Sequence, residues 1–302
     1  MTSVLIIGAG AIGCLYGSKL AEAGLQVSLV SHSIAQASAS NPAKIQVDSP
    51  WGDAIFTPHA VYSDVQEAKP ADIMIISSKT IGTPQLIRDT QSVITDQTKA
   101  ILLLQNGIHI EQAWQVAFPT VTLISGLAFV CCFRLSPLHI CHQDYGRLMI
   151  GDYPSGISPV TKLLTQSWHQ TGVPVIASDK VPYARWKKLL WNAAFNPLSV
   201  IKQQTTQELL STADGETLSR VIMREVQQLA DADGYTLTDA DIERNITDTR
   251  KMTPYKTSML LDYENKRPLE TESILGNALR FATEKGISVP KIEALYYQLK
   301  KL

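Results

Sequence analysis

The sequence predicts an α/β fold, with an N-terminal doubly wound sheet and an all-α C-terminal region. Three observations carry this expectation. Short apolar runs alternate with helical patterns up to about residue 125, as in a parallel sheet covered by helices. A glycine-rich turn, Gly8-Ala9-Gly10-Ala11-Ile12-Gly13, joins the first such run to a helix. From Val181 onward the apolar spacing is helical to the end of the chain. At 302 residues the chain is too long for one small core, and the change of character near Asp179 divides it into domains 1–179 and 180–302.

The elements follow in order. Ser3–Ile7 is a continuous apolar strand, and the helix after the glycine turn runs through Glu22 and is ended by Gly24. Gln26–Val30 is a second strand, and residues 72–77 and 100–104 form further buried strands. The last two end in polar residues, Ser78-Lys79 and Gln105-Asn106-Gly107. Residues just past the C-terminal ends of strands line the ligand crevice of a doubly wound sheet, so these tips are candidate site residues by position. From 121 to 152 the pattern reads as short strands with turn residues, and 173–177 as a final strand. Helical segments then occupy 183–201, 206–212, 215–233, 239–251, 255–265, 270–285 and 290–301, punctuated by Gly234, Gly286 and Pro290.

Composition bounds the function classes. Apolar residues make up 45% and charged residues 18%, which fits a globular chain. A net charge of −1 supplies no overall basic field, so neither nucleic acid nor an anionic membrane is an expected partner. The N-terminus has no basic stretch before its apolar run, so it reads as a strand rather than a signal peptide. No stretch approaches the roughly 18 apolar residues of a spanning helix. Cys14, Cys131, Cys132 and Cys141 have neither CxxC nor Cys/His ligand spacing, so no metal is expected; scattered thiols point to a reducing, cytoplasmic setting. His139, His142 and His169 read as surface or loop residues. Asp231-Ala232-Asp233-Gly234 reads as a helix end with a glycine stop rather than a calcium loop.

The glycine turn matches G-x-G-x-x-G in the strand–turn–helix context of a Rossmann-type dinucleotide site. There Gly8 permits the tight turn, Gly10 admits a pyrophosphate, and Gly13 lets helix pack on strand; Ala9, Ala11 and Ile12 complete the loop. An NAD-type site places a carboxylate at the tip of the second strand, against the ribose 2′-hydroxyl. This chain has Val30-Ser31-His32-Ser33 instead, whose hydroxyls and imidazole can donate to a 2′-phosphate, which favours NADP(H). His32 reads equally as an exposed loop residue.

A second informative region is the helix at 185–197. Lys188, Asn192 and Asn196 are spaced i, i+4, i+8 and form one polar stripe, opposite Leu189, Leu190, Ala193 and Ala194. Amides can hold a carboxylate or hydroxyl, and a desolvated lysine has a lowered pKa suited to acid–base work. A solvated helix face with an ordinary lysine fits the same spacing. Pro197 predicts a bend or stop at Asn196.

Taken together, GAGAIG at 8–13, Lys79, QNG at 105–107 and W-x-K-L-x-x-N-x-x-x-N-P at 186–197 resemble the ketopantoate reductase (2-dehydropantoate 2-reductase) family. TSMLLD at 257–262, RPLETESILGN at 267–277 and GISVP at 286–290 extend the resemblance over nearly the whole chain. It implies reduction of 2-dehydropantoate to pantoate by NADPH, a step of pantothenate and coenzyme A biosynthesis. It further implies Lys188 as general acid, with Glu270 accepting a hydrogen bond from the substrate hydroxyl. Asn192 and Asn196 would hold the substrate, Ser258 its carboxylate, and Lys79 and Asn106 the place where nicotinamide and substrate meet. The chain departs from the pattern at Ser31-His32, where an arginine is expected, at Ile108-His109, where a second glycine is expected, and at Tyr255-Lys256, where an asparagine is expected. Two other readings stand beside this one: a reductase of another small 2-keto acid with the same fold, and a non-catalytic NADP(H) sensor, which needs the glycine loop but not Lys188. Tyr296, Tyr297 and Leu299 offer either a homodimer surface or a cap on the chain's own core.

Overall fold

The structure is a computed structural model that describes residues 1–38, 43–252 and 254–302. It divides into two compact units, Met1–Gln105 with Glu111–Val181, and Asn106–Ile110 with Pro182–Leu302. The short segment Asn106–Ile110 thus clusters with the helices rather than with the strand that precedes it.

The first unit runs β1 (Ser3–Ile7), α1 (Ala11–Glu22), β2 (Gln26–Val30), α2 (His32–Ala37), β3 (Ile45–Asp48), β4 (Ala54–Phe56) and β5 (Ala60–Tyr62). It continues with β6 (Ile73–Ile76), α3 (Thr83–Thr90), β7 (Ala100–Leu103), α4 (Gln112–Ala117), β8 (Thr122–Ser136), β9 (His139–Asp152), α5 (Pro159–Gln170) and β10 (Val175–Ala177). The sheet order is β4-β3-β9-β8-β7-β6-β1-β2-β5, with β10 on β9. From β5 to β8 every pairing is parallel. The sheet grows outward from β1 to β2 and β5 on one side, and to β6, β7 and β8 on the other, which is the doubly wound order. β6 and β7 are buried throughout and β1 from its second residue on, as expected of strands covered on both faces. Asp72, just ahead of β6, sets the starts of three strands: it accepts from the Ser3 backbone N–H at 2.8 Å and pairs with Lys99 ahead of β7 at 2.8 Å.

The stretch 121–152 corrects the expectation of short strands. It is one long antiparallel hairpin of 15- and 14-residue strands, β8 and β9. Register shifts after Phe129, Cys131 and Arg134 break the two-residue alternation, so the sequence reads as several short pieces. His142 is also not a surface residue. It is buried on β9, its Nδ1 lies 2.8 Å from Ser49 Oγ, and its ring packs edge-on against Trp51.

The second unit holds α6 (Val181–Lys202), α7 (Thr206–Leu210), α8 (Ala213–Ala232), α9 (Asp239–Lys251), α10 (Ser258–Glu264), a π turn (Glu272–Gly276), α11 (Asn277–Lys285) and α12 (Pro290–Leu299). Helices α7 to α10 each start on a threonine whose hydroxyl accepts a first-turn N–H: Thr205, Thr212, Thr238 and Thr257. The buried Glu225 carboxylate accepts the N–H groups of Lys291 and Ile292, neutralising the exposed start of α12.

α6 is the axis of this unit's core: Leu189, Leu190, Ala193, Ala194, Phe195 and Leu198 are all buried in one apolar cluster. It does not stop at Asn196 but continues through Pro197 to Lys202. Asn192–Val200 are buried without interruption, and that packing outweighs the roughly 3 kcal/mol that an interior proline costs. Leu299 is likewise buried and Tyr296 donates to Glu272 at 2.8 Å, so both join the chain's own core, while Tyr297 and Leu302 stay exposed. Among the described residues no helix is long and apolar enough to cross a membrane.

Because Leu190 is fully enclosed, Leu190→Ala should destabilise the chain by about 2–5 kcal/mol. Urea unfolding followed by tryptophan fluorescence measures this, and a loss under about 1 kcal/mol would contradict the packing described.

Candidate active site

In the first unit the glycine turn is shaped by contacts that leave no room for side chains. Gly8 has φ +77°, and a Cβ there would lie 2.3 Å from Ser78 Cβ. A Cβ on Gly13 would come within 2.4 Å of Ser77 Oγ, so helix α1 can approach β6 only with glycine at this position. Gly10 differs: a Cβ there would meet nothing closer than the Gly8 carbonyl oxygen at 3.8 Å. The outer face of the turn is therefore open. Gly8 and Ala9 donate to the Val30 carbonyl at 3.1 and 3.2 Å, tying the turn to the tip of β2. No side chain caps α1 and no acidic residue stands in its first turn, so the N–H groups of Ala11, Ile12 and Gly13 face an uncontested helix start. This cradle fits a dinucleotide pyrophosphate.

The strand tips meet around it. Ser31 begins α2, with its hydroxyl 3.3 Å from Ser33 Oγ, and His32 is exposed beside them. Gln105 Nε2 donates to the Ser78 carbonyl at 2.8 Å, joining the ends of β7 and β6. Ser78 Oγ is buried with no hydrogen-bond partner among the described residues. Lys79 follows, half-buried.

In the second unit, Lys188 Nζ donates to Asn106 Oδ1 at 2.9 Å. The segment bearing Asn106 is clamped residue by residue. Arg185 Nη1 donates to the Gly107 carbonyl at 3.1 Å, Ile108 N–H donates to the Ser273 carbonyl at 3.3 Å, and Asn277 Nδ2 donates to the Ile108 carbonyl at 2.6 Å. Gly107 has φ +110°, and a Cβ there would lie 2.4 Å from the Ser273 carbonyl oxygen. His109 occupies the left-handed region at φ +53°, a conformation glycine would adopt more easily. Its Nε2 lies 3.0 Å from Asp233, which also accepts from Trp186 Nε1 at 2.8 Å.

Lys188 keeps some surface exposure, but its ammonium sits amid dense protein. Burial pulls its pKa down to about 7; the nearby Arg185 guanidinium lowers it further and the Glu270 carboxylate opposes the fall. Lys187, the next residue on the helix, instead pairs with Asp241 at 2.7 Å. Asn192 and Asn196 are buried, which excludes the solvated-face reading of the stripe. Asn196 Oδ1 has no hydrogen-bond partner among the described residues. Such an acceptor costs about 1–3 kcal/mol and marks a place for a donor to enter. Lys188 to Asn196 spans roughly 12 Å of helix, room for a molecule of a few carbons. Ser199 Oγ, three residues beyond, lies 2.6 Å from Thr257 Oγ1, so Ser258 stands exposed at that end of the stripe. Glu270 lies immediately ahead of the π turn, half-buried.

Comparison with known proteins gives the family. The family model for ketopantoate reductase PanE/ApbA matches residues 4–155, and that for its C-terminal part matches 180–302. The chain belongs to the ketopantoate reductase family. It is therefore an oxidoreductase of the NAD(P)-dependent kind. A 2-dehydropantoate 2-reductase of Nostoc sp. is 35% identical over 98% of this chain and 94% of its own length. The crystal structure of 2-dehydropantoate 2-reductase from Methylococcus capsulatus is 39% identical, with a TM-score of 0.89 over 99% of this chain and 96% of that one. Its counterpart from Geobacter metallireducens is 30% identical, with a TM-score of 0.91 over 99% of both chains.

One participant escaped the sequence reading. Arg185 is buried one turn before Lys188, holds the Asn106 segment and depresses the lysine's pKa. Its i, i+3 spacing from Lys188 was the available signal. Among the described residues no group of histidine, cysteine and carboxylate side chains could hold a metal ion.

A Lys188 amine titrating near pH 7 is directly measurable by NMR of the reductively methylated protein, assigned with Lys188→Arg. A midpoint above about pH 9 would contradict the buried setting described here.

Proposed function

We propose that this chain reduces 2-dehydropantoate to pantoate with NADPH, a step of pantothenate and coenzyme A biosynthesis. The observation that carries the proposal is Lys188. Its ammonium is hydrogen-bonded to Asn106 and half-titrated near neutral pH, within a chain of the ketopantoate reductase family. A general acid works best when its pKa lies near the operating pH.

When bound, NADPH supplies the hydride to the keto carbon. Gly8, Ala9, Gly10, Ala11, Ile12 and Gly13 would hold its pyrophosphate, Ser31 and His32 its adenosine ribose, and Lys79, on the same unit, its nicotinamide end. Lys188 gives its proton to the oxygen of the forming alcohol, and as a cation stabilises the negative charge that develops there. Asn192 and Asn196 orient the substrate, and the partnerless Asn196 oxygen offers an acceptor within that stripe. Ser258 meets the carboxylate, and Glu270 accepts a hydrogen bond from the substrate hydroxyl. The proposal places the enzyme in the cytoplasm, where the four free thiols stay reduced.

Oxidation of NADPH measured against 2-dehydropantoate and a panel of other small 2-keto acids tests the substrate. Preference for a different acid would move the assignment to that acid, and no turnover with any would overturn it. Lys188→Ala should lower kcat by about 10²–10⁴-fold. The kcat of reduction should fall as pH rises through about 7, because the neutral amine has no proton to donate. Glu270→Ala should raise KM for the keto acid with NADPH affinity nearly unchanged; loss of NADPH binding would contradict its place on the substrate side.

A further inference from the structure

The tip of β2 lacks the carboxylate that would repel a 2′-phosphate, but on its own segment it also lacks a cation to attract one. The long hairpin brings one. Arg134 lies on β8, opposite Ile140 of β9, and 101 residues from Ser33 in sequence. Its Nη2 donates to Ser33 Oγ at 2.7 Å, and Ser33 Oγ lies 3.3 Å from Ser31 Oγ. A guanidinium and two hydroxyls thus form one cluster at the end of β2. The same cluster adjoins the glycine turn, because Gly8 and Ala9 are hydrogen-bonded to Val30, the residue before Ser31. The Arg134 charge also reaches the buried Cys14 thiol in the first turn of α1, where it opposes the rise that burial causes. Arg134 is half-buried, and among the described residues no carboxylate pairs with it.

We infer that Arg134, reaching from the hairpin to Ser33 at the tip of β2, is the residue that selects the 2′-phosphate of NADP(H). This rests on the NADP(H) preference proposed above. A planar guanidinium suits a phosphate better than an ammonium does, since two of its N–H groups can meet two oxygens at once. Ser31 and Ser33 complete the site with hydroxyl donors. The hairpin does what a β2-tip arginine would do, from a different element of the fold.

Calorimetric binding of NADPH, NADH, adenosine 2′,5′-bisphosphate and AMP to wild type, R134A and R134K tests this without turnover. Wild type should bind the two 2′-phosphorylated ligands, NADPH and adenosine 2′,5′-bisphosphate, more tightly than NADH and AMP. R134A should weaken both by about 10- to 100-fold, the worth of a charged hydrogen bond or two, while NADH stays within about twofold. R134K should recover part of the loss. An R134A protein that keeps the wild-type NADPH-to-NADH ratio overturns the role of Arg134 and leaves the NADP(H) preference standing. A wild type that binds the two cofactors equally overturns the preference and this assignment together. If R134A binds neither cofactor measurably, so that no ratio can be formed, the comparison moves to R134M, which keeps the apolar stem. Equal losses of NADPH and NADH there overturn the inference.

Discussion

The candidate site of the second unit is built around the hydrogen bond from Lys188 to Asn106. Lys188 projects from the most buried helix of the second unit, and Asn106 from the short segment Asn106–Ile110 of that same unit. To bring them within 2.9 Å, residues Asn106–Ile110 leave the sheet's company and are bound one after another to Arg185, Ser273 and Asn277. Gly107 is required where it stands because the Ser273 carbonyl occupies the space of a side chain. His109 accepts a left-handed backbone conformation that costs of order 1 kcal/mol, offset by its bond to Asp233 and its edge-on packing against Trp186 and Phe281.

The electrostatics follow from this anchoring. The Asn106 amide gives the lysine a directed partner, and the Glu270 carboxylate opposes the fall in pKa less strongly than burial and Arg185 drive it. Burial and the adjacent Arg185 therefore dominate, and its pKa falls to about 7. Lys187, one residue away, finds Asp241 and keeps an ordinary structural ion pair. Two adjacent lysines thus differ in role because helix geometry turns one toward α9 and the other toward the Asn106 segment. On the nucleotide side the same economy of charge holds. No carboxylate stands in the first turn of α1, and hydroxyls replace one at the end of β2.

Where sequence and structure part company, the cause is tertiary packing in each case. Pro197 carries a strong local stop signal, yet residues 192–200 are buried without interruption and α6 continues. The hairpin of β8 and β9 hides its length because its bulges reset the alternation that marks a strand. His142 looked like a surface residue because nothing near it in sequence encloses it; Ser49 and Trp51, more than 90 residues earlier, do so. Arg185 was visible as a charge on a helix, but nothing local showed that it would reach Gly107.

The sequence by itself determined the class of the fold and the kind of chemistry. Continuous apolar runs specify β1, β6 and β7, glycine spacing specifies the turn into α1, and the four-residue spacing of Lys188, Asn192 and Asn196 puts them on one helix face. These are local consequences of backbone period and steric room, so they can be read without the rest of the chain. Only the tertiary structure decided that this face is buried, that Asn106 is the partner of Lys188, and that Arg134 stands beside Ser33. The last two depend on residues about 80 to 100 positions apart meeting in space, which no local pattern encodes.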